Sequence, residues 1–332
     1  MSELRAILVA QVERLVADAG GVAPLREVEA GGFPRALWEG LVAQGLTLAL
    51  VPEEAGGAGL SWGDAAALWQ VLGRHGAPVP VAEAMLAGAL LAGAGIAPPE
   101  GVVALGAKAA PFGRHAARLL LAEGGRVALH AVAGATLGTN TGREPRDDLT
   151  PGEMIAASAL SNAHGPRALS LGLALLRAAE MAGALERVLA LAVDWANTRR
   201  QFGRPIGRFQ AVQQQLAAMA GEVAAAQVAV AQAARAVDAR GLADSAFEIG
   251  CAKVVAGEAG TAGAATAHQV FAAIGITEDH PLHHFTRRLW SWREEGGSER
   301  AWAAEIGRAA IARGGANLWA DLTARDVQGS PA

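Results

Sequence analysis

The sequence predicts an α+β fold that is mostly helical, and three observations carry that reading. Ala, Leu and Val dominate a chain that is 52% hydrophobic but only 5% aromatic, a composition suited to closely packed helices. A seam of small apolar residues runs from Val212 to Val237 in steps of four and three. Between residues 101 and 150, by contrast, apolar runs are short and separated by glycine, which suits strands. Three parts follow: a helical domain over 1–100, a β-domain and linker over 101–152, and a second helical domain over 153–325.

In the first part, Leu4, Leu8, Val12 and Leu15 recur at helical spacing. Phe33-Pro34 precede a short helix carrying Leu37, Trp38 and Leu41. Gly56, Gly57 and Gly59 make a turn before a helix from about Ser61 to Leu72. Ser61 is its expected N-cap, and Asp64 adds favourable charge to its first turn. That glycine cluster lacks the lysine and the spacing of a phosphate loop. In the second part, Val102–Leu105, Arg118–Ala122 and Arg126–Val132 read as strands, with a linker between Gly138 and Pro151. In the third, the seam Val212, Leu216, Met219, Val223, Ala226, Val230, Ala233, Val237 lies on a helix about 40 Å long. Its small residues let neighbours approach closely in a four-helix bundle.

The 332 residues carry a formal net charge of −4, which gives no electrostatic footprint for nucleic acid. Cys251 is the only cysteine, so an internal disulfide and a cysteine-based zinc site are excluded, and it reads as a small buried thiol. The N-terminus carries Glu3, Glu13 and Asp18 and lacks a signal peptide's charge order. The apolar stretch from Leu86 is too short and glycine-rich to span a bilayer. A cytoplasmic protein without membrane partners is expected. His280, His283 and His284 cluster, but Pro281 and the lack of an HExxH pattern favour packing, and no metal is expected.

The densest signal is TRRQFGRPIGRFQAVQQQLAAM, from Thr198 to Met219. An isolated arginine pair is ordinarily a basic loop, yet guanidinium forks also bind phosphate oxygens bidentately. The whole run resembles the R-x-Q-F-G-x-P-I-x-x-F-Q-x-V-Q signature of the acyl-CoA dehydrogenase flavoenzymes. A second run, from His268, resembles that family's Q-V-x-G-G-x-G segment and its closing E-G-T-S motif. Gln269 matches the flavin-contacting glutamine and Gly275 the last glycine, while Ala272 and Ala273 replace two glycines. The resemblance implies FAD as cofactor, with Arg199, Gln201, Phe202, Gln210, Gln269, Gly275 and Ser298 as its contacts. It also implies an acyl-CoA substrate, electron-transfer flavoprotein as acceptor, and a helical–β–helical architecture with the β-domain reduced.

In that family a carboxylate removes the Cα proton of the thioester while the Cβ hydride passes to the flavin. Such a base needs its pKa raised by desolvation. Aligning Glu295-Gly296-Gly297-Ser298 with E-G-T-S, by a one-residue deletion after Arg287, makes Glu295 the base. Without the deletion the position falls on Gly296. The alternative location in other relatives falls on Leu173. The family's T-E-P-type segment and the Trp-bearing strand against the flavin ring are both missing from the short β-region. These departures resemble the shorter subunits of heteromeric acyl-CoA dehydrogenases, including steroid side-chain-degrading ones. Two readings therefore stand: a dehydrogenase in a homo-oligomer with Glu295 as base, or a non-catalytic subunit that completes the FAD site of a longer homologue in a hetero-oligomer.

Overall fold

The computed structural model describes residues 3–325. Five helices open the chain: α1 (Glu3–Asp18), α2 (Ala23–Glu29), α3 (Arg35–Ala43), α4 (Trp62–His75) and α5 (Val81–Gly93). Val12 and Val16 of α1 are buried; the side chain of Leu4 lies outside the described ones. Ser61 caps α4 as expected, its Oγ accepting a hydrogen bond from the Asp64 amide at 3.0 Å. Gly56 and Gly59 adopt positive φ (85° and 59°), so the glycine cluster is a turn. Every residue of α5 from Val81 to Leu91 is buried, which makes this apolar stretch the centre of the first domain.

The β-domain is a five-stranded sheet: β1 (Val103–Leu105), β2 (Ala110–Pro111), β3 (Arg118–Glu123), β4 (Arg126–Thr136) and β5 (Arg146–Ala159). Its order is β1-β3-β4-β5-β2, with β1 parallel to β3 and the other pairs antiparallel. The linker expected between Gly138 and Pro151 is corrected here. That segment bridges Thr139 to Pro145 and then enters β5, which carries the sheet past residue 152 to Ala159. The fully buried Asp147 is the cause. Its carboxylate accepts from the amides of Arg114 (2.7 Å) and Gly138 (3.0 Å) and pairs with the Arg114 guanidinium, pinning a segment whose composition alone reads as loop.

Helices α6 (Ala168–Thr198), α7 (Gln210–Arg240) and α8 (Ala246–Phe271) then run together. The hairpin strands β6 (Arg200–Gln201) and β7 (Arg204–Pro205) lie between α6 and α7. Helices α9 (Leu282–Trp292), α10 (Glu299–Arg313) and α11 (Leu318–Thr323) complete the chain, with α10 on α8. The heptad seam of α7 faces the bundle: Met219, Val223, Ala226, Val230, Ala233 and Val237 are all buried. Helix α4 of the first domain packs into the same bundle against α6. There Gly73 and Gly183 meet the partner helix reciprocally, and a methyl group on either would collide with backbone at Glu180 or Gln70. The two helical domains are thereby locked together, and α5 of the first packs on β1 of the sheet.

Candidate active site

Two cavities bring together some of the positions that the sequence singles out: Arg199 and Gln201 in one, Leu173 and Gly296 in the other. The first, about 560 Å³, lies where α6 ends and α8 ends, and is lined by Trp195, Arg199, Gln201, Ile206 and Phe271–Ile274. Helix α6 stops at Thr198, and β6 and β7 form a tight hairpin whose tip residues Phe202 and Gly203 have φ of 49° and 77°. The turn throws Phe202 outward, 91% exposed, edge-on to Phe209 at 6.1 Å. Arg199 lies over the Trp195 ring at 5.9 Å and, among the described residues, has no carboxylate partner. An unpaired guanidinium beside an indole, at the rim of a cavity, suits a phosphate with an adjoining flat ring.

Gln210 and Gln269, at the start of α7 and the end of α8, are exposed near those helix ends but do not line the cavity. Ala272 bears a positive φ of 54° with ψ −142°, a conformation ordinarily left to glycine. Two other motif-matched residues have structural roles here. Gly275 is buried, with Phe271 and Leu282 so close that a Cβ would meet them at 2.8 and 3.0 Å, so it serves packing. Ser298 lines neither cavity; its Oγ caps α10 by accepting from the Ala301 amide.

The second cavity, about 490 Å³, sits between the start of α6 and the loop before α10, lined by Leu169, Leu173, Gly296, Gly297 and Trp302. Leu173 and Gly296, the two alternative positions for the base, thus converge on one space, and neither is acidic. Gly296 has φ 71°, and a Cβ there would stand 2.7 Å from the Ala174 amide nitrogen, so the loop touches α6 directly. Buried Lys253 holds the loop's start: its Nζ donates to the Arg293 carbonyl at 2.5 Å. Burial pulls its pKa down to about 8. Glu305 is the carboxylate at the cavity wall, and Arg167 grips both its oxygens at 2.6 and 3.0 Å.

Glu295, the carboxylate that the resemblance offers as base, does not line this cavity. Its Oε1 accepts from Arg146 Nε at 2.8 Å, and its Oε2 accepts from Arg177 Nε at 2.7 Å and Arg146 Nη2 at 3.1 Å. Burial alone would raise its pKa, but the two guanidiniums overturn that and hold it down at about 2. A general base for Cα protons needs the opposite displacement. Glu295 belongs to a buried ladder of charges. Arg177 also binds Glu83 at 2.6 Å and Glu180, while Arg146 also binds Glu144, which pairs with Arg288. The ladder escaped sequence reading because its members lie at 83, 144, 146, 177, 180, 288 and 295. The local signal was Arg177 and Glu180 inside an otherwise apolar helix.

The unpaired arginine at one cavity and the meeting of Leu173 and Gly296 at the other fit the flavoenzyme resemblance of the sequence. Comparisons agree. Residues 172–314 match the acyl-CoA dehydrogenase C-terminal domain and residues 3–97 its N-terminal domain. The chain is 33% identical over 298 residues to acyl-CoA dehydrogenase IpdE2 of Mycobacterium tuberculosis, covering 86% of this chain and 91% of that one. The ChsE4-ChsE5 complex from Mycobacterium tuberculosis superposes with a TM-score of 0.81 at 26% identity, covering 94% of this chain and 98% of that one. A Tcur3481-Tcur3483 steroid ACAD variant gives 0.80 at 27%, covering 95% and 99%. The chain belongs to the acyl-CoA dehydrogenase family, a family of FAD-dependent oxidoreductases. FAD is the cofactor.

Proposed function

We propose that this chain is the non-catalytic partner in a hetero-oligomeric acyl-CoA dehydrogenase. It contributes the phosphate-holding end of the FAD site, and a longer subunit contributes the base. The carrying observation is the second cavity, where Leu173 and Gly296 occupy both base positions while Glu295 is bound by Arg146 and Arg177. The first cavity supports the other half. Arg199, Gln201 and Phe202 are exposed at a chain surface, which suits groups reaching toward a cofactor held largely by another chain.

The assembly carries out α,β-dehydrogenation of an acyl-CoA: the base takes the Cα proton and the Cβ hydride leaves with its electron pair. FAD, when bound, supplies the hydride acceptor. This chain's part is to orient and hold. Arg199 would fork onto pyrophosphate oxygens, Gln201 and Gln269 would hydrogen-bond the dinucleotide, and Phe202 would cover it from water. A bulky acyl chain, a steroid side chain in particular, is the substrate class that the similarity to the steroid ACAD and ChsE4-ChsE5 structures supports. Electron-transfer flavoprotein is the proposed acceptor.

Flavin content and mass of the chain purified alone, then co-purified with a longer homologue, test the proposal. Flavin appearing only in the co-purified assembly is expected. A homo-oligomer with one FAD per chain and dehydrogenase turnover would overturn it.

A further inference from the structure

A third cavity, of about 350 Å³, lies apart from both cavities above, between α2, the loop before β5 and the start of α9. Arg26, Glu29, Arg143, Glu278, His283 and His284 line it. Its polar groups come close enough to invite a cation, since ligand atoms of Glu29, His283 and His284 fall within 4.8 Å of one another. The charges around them argue otherwise. Arg287 donates to Glu29 at 2.7 Å and Arg288 at 3.3 Å, while His284 Nδ1 is 2.7 Å from the same carboxylate. Burial would raise the pKa of Glu29, yet these partners hold it at about 2, so the carboxylate is ionised and already taken. Counting Arg26, Arg143, Arg287 and Arg288 against Glu29, Glu278 and the Glu144 that pairs with Arg288 leaves four cationic side chains against three carboxylates. A metal ion would enter a net positive site, which Coulomb repulsion opposes.

The same features fit an oxyanion. Arg143 is exposed, has no partner among the described residues, and sits at φ 58°, a strained backbone that turns its side chain to the cavity rim. Arg26 reaches the opposite rim, with one nitrogen on the Glu278 carbonyl at 3.0 Å. Helix α9 begins at Leu282, so its positive end opens on the same space. At the wall, His284 is 3% exposed and its Nε2 has no hydrogen-bond partner, a buried polar atom that a ligand would satisfy.

We propose that this cavity is a binding site for a phosphate group, held by Arg143 and Arg26 over the start of α9 and separate from the flavin cavity. The site is independent of which chain supplies the catalytic base. Arg26 comes from α2 and Arg143 from the loop before β5, and each guanidinium carries a fork that can hold a phosphate bidentately, which a spherical halide cannot use. The phosphate is either free or carried on a larger ligand such as CoA.

Isothermal titration of the purified chain, or of its assembly, with inorganic phosphate, pyrophosphate and CoA distinguishes those sources. Saturable binding is expected, weakened tenfold or more in Arg143→Gln and in Arg26→Gln. Both residues are exposed at the rim, and an unchanged melting temperature would show that the variants fold. Binding of CoA and not of phosphate would assign the group to the larger ligand; binding of all three would assign it to free phosphate. Four results overturn the proposal. One is titration without saturation. Another is equal affinity in Arg143→Gln. The third is loss of binding in Arg199→Ala alone, which would place the phosphate in the flavin cavity. Saturable zinc binding abolished by His283→Ala would overturn it in favour of a metal.

Discussion

The end of α6 and the loop before α10 carry the chain's two most family-like motifs, and they meet opposite fates. Around Arg199, side chains are exposed and unpaired: Phe202 stands in solvent and Arg199 rests only on Trp195. Around Glu295, by contrast, the carboxylate is fully engaged, with two arginines and Asn140 on its oxygens. An exposed, unsatisfied set of recognition groups is built to meet something outside the chain. A buried, saturated set holds the fold. Under the proposed function, Glu295 belongs to the charge ladder of the fold and the Arg199 motif is the one left free to bind.

The sharpest way to break this contrast is to remove Glu295. Breaking a buried ion pair on one side leaves uncompensated charge, so Glu295→Ala should lower stability by about 3–5 kcal/mol, read as a shifted denaturant midpoint. Flavin content and turnover of the assembly, measured well below the melting temperature, should persist. Loss of turnover in a fully folded, flavin-loaded assembly would restore Glu295 as the base and end the comparison.

Next in size is the exposed motif. Arg199→Ala removes a charge-assisted fork worth about 1.5–3 kcal/mol, so FAD should be released tenfold or more easily from the assembly, with the melting temperature of the apo chain unchanged. Full flavin occupancy at dilution would show that Arg199 is only a surface arginine stacked on Trp195.

What was legible follows the same division. Periodicity and caps reported local chemistry, so the α7 seam, the Ser61 cap and three of the strands were readable in advance. Fates decided across the fold were not. Asp147 draws a Gly-, Pro- and Arg-rich segment into β5 through donors from residues 114 and 138. A motif gives Glu295 its position along the chain, while Arg146 and Arg177 decide where its carboxylate points. Ser298 and Gly275 were matched by motif in the same way, yet one caps a helix and the other fills a tight contact. The two empty base positions were readable separately, but only the fold shows that Leu173 and Gly296 share one cavity.

The buried ladder also makes a pH prediction. Burial pushes the Glu180 carboxyl up to about 8, against the pull of Arg177. A group whose folded pKa lies above its unfolded value of 4.5 contributes stability that is full below 4.5 and is lost as pH rises to about 8. Glu295, held at about 2, behaves oppositely, its contribution being present above 4.5 and lost as pH falls toward 2. Glu180→Gln should therefore flatten the decline in melting temperature between pH 4.5 and 8 while leaving the acid side unchanged. An unaltered profile would mean that Glu180 is ionised in the fold and that the ladder has no spare proton.

The smallest effect lies beside Arg199, at the cavity wall. Ala272 ends α8 with φ 54° and ψ −142°, a region that a Cβ makes costly, where the family resemblance places glycine. Its side chain is exposed, so replacing it sacrifices little packing. Ala272→Gly gains flexibility in the unfolded chain, which costs about 0.5–1 kcal/mol, but relieves strain of about 1–3 kcal/mol. The balance is a net stabilisation of about 1 kcal/mol, seen as a small rise in melting temperature. A matching gain in flavin affinity would show that the alanine methyl also crowds the cofactor. Stability gained with affinity unchanged would show that the strain belongs to the helix end alone, and that the exposed motif binds through its arginine and amides without help from a bare backbone.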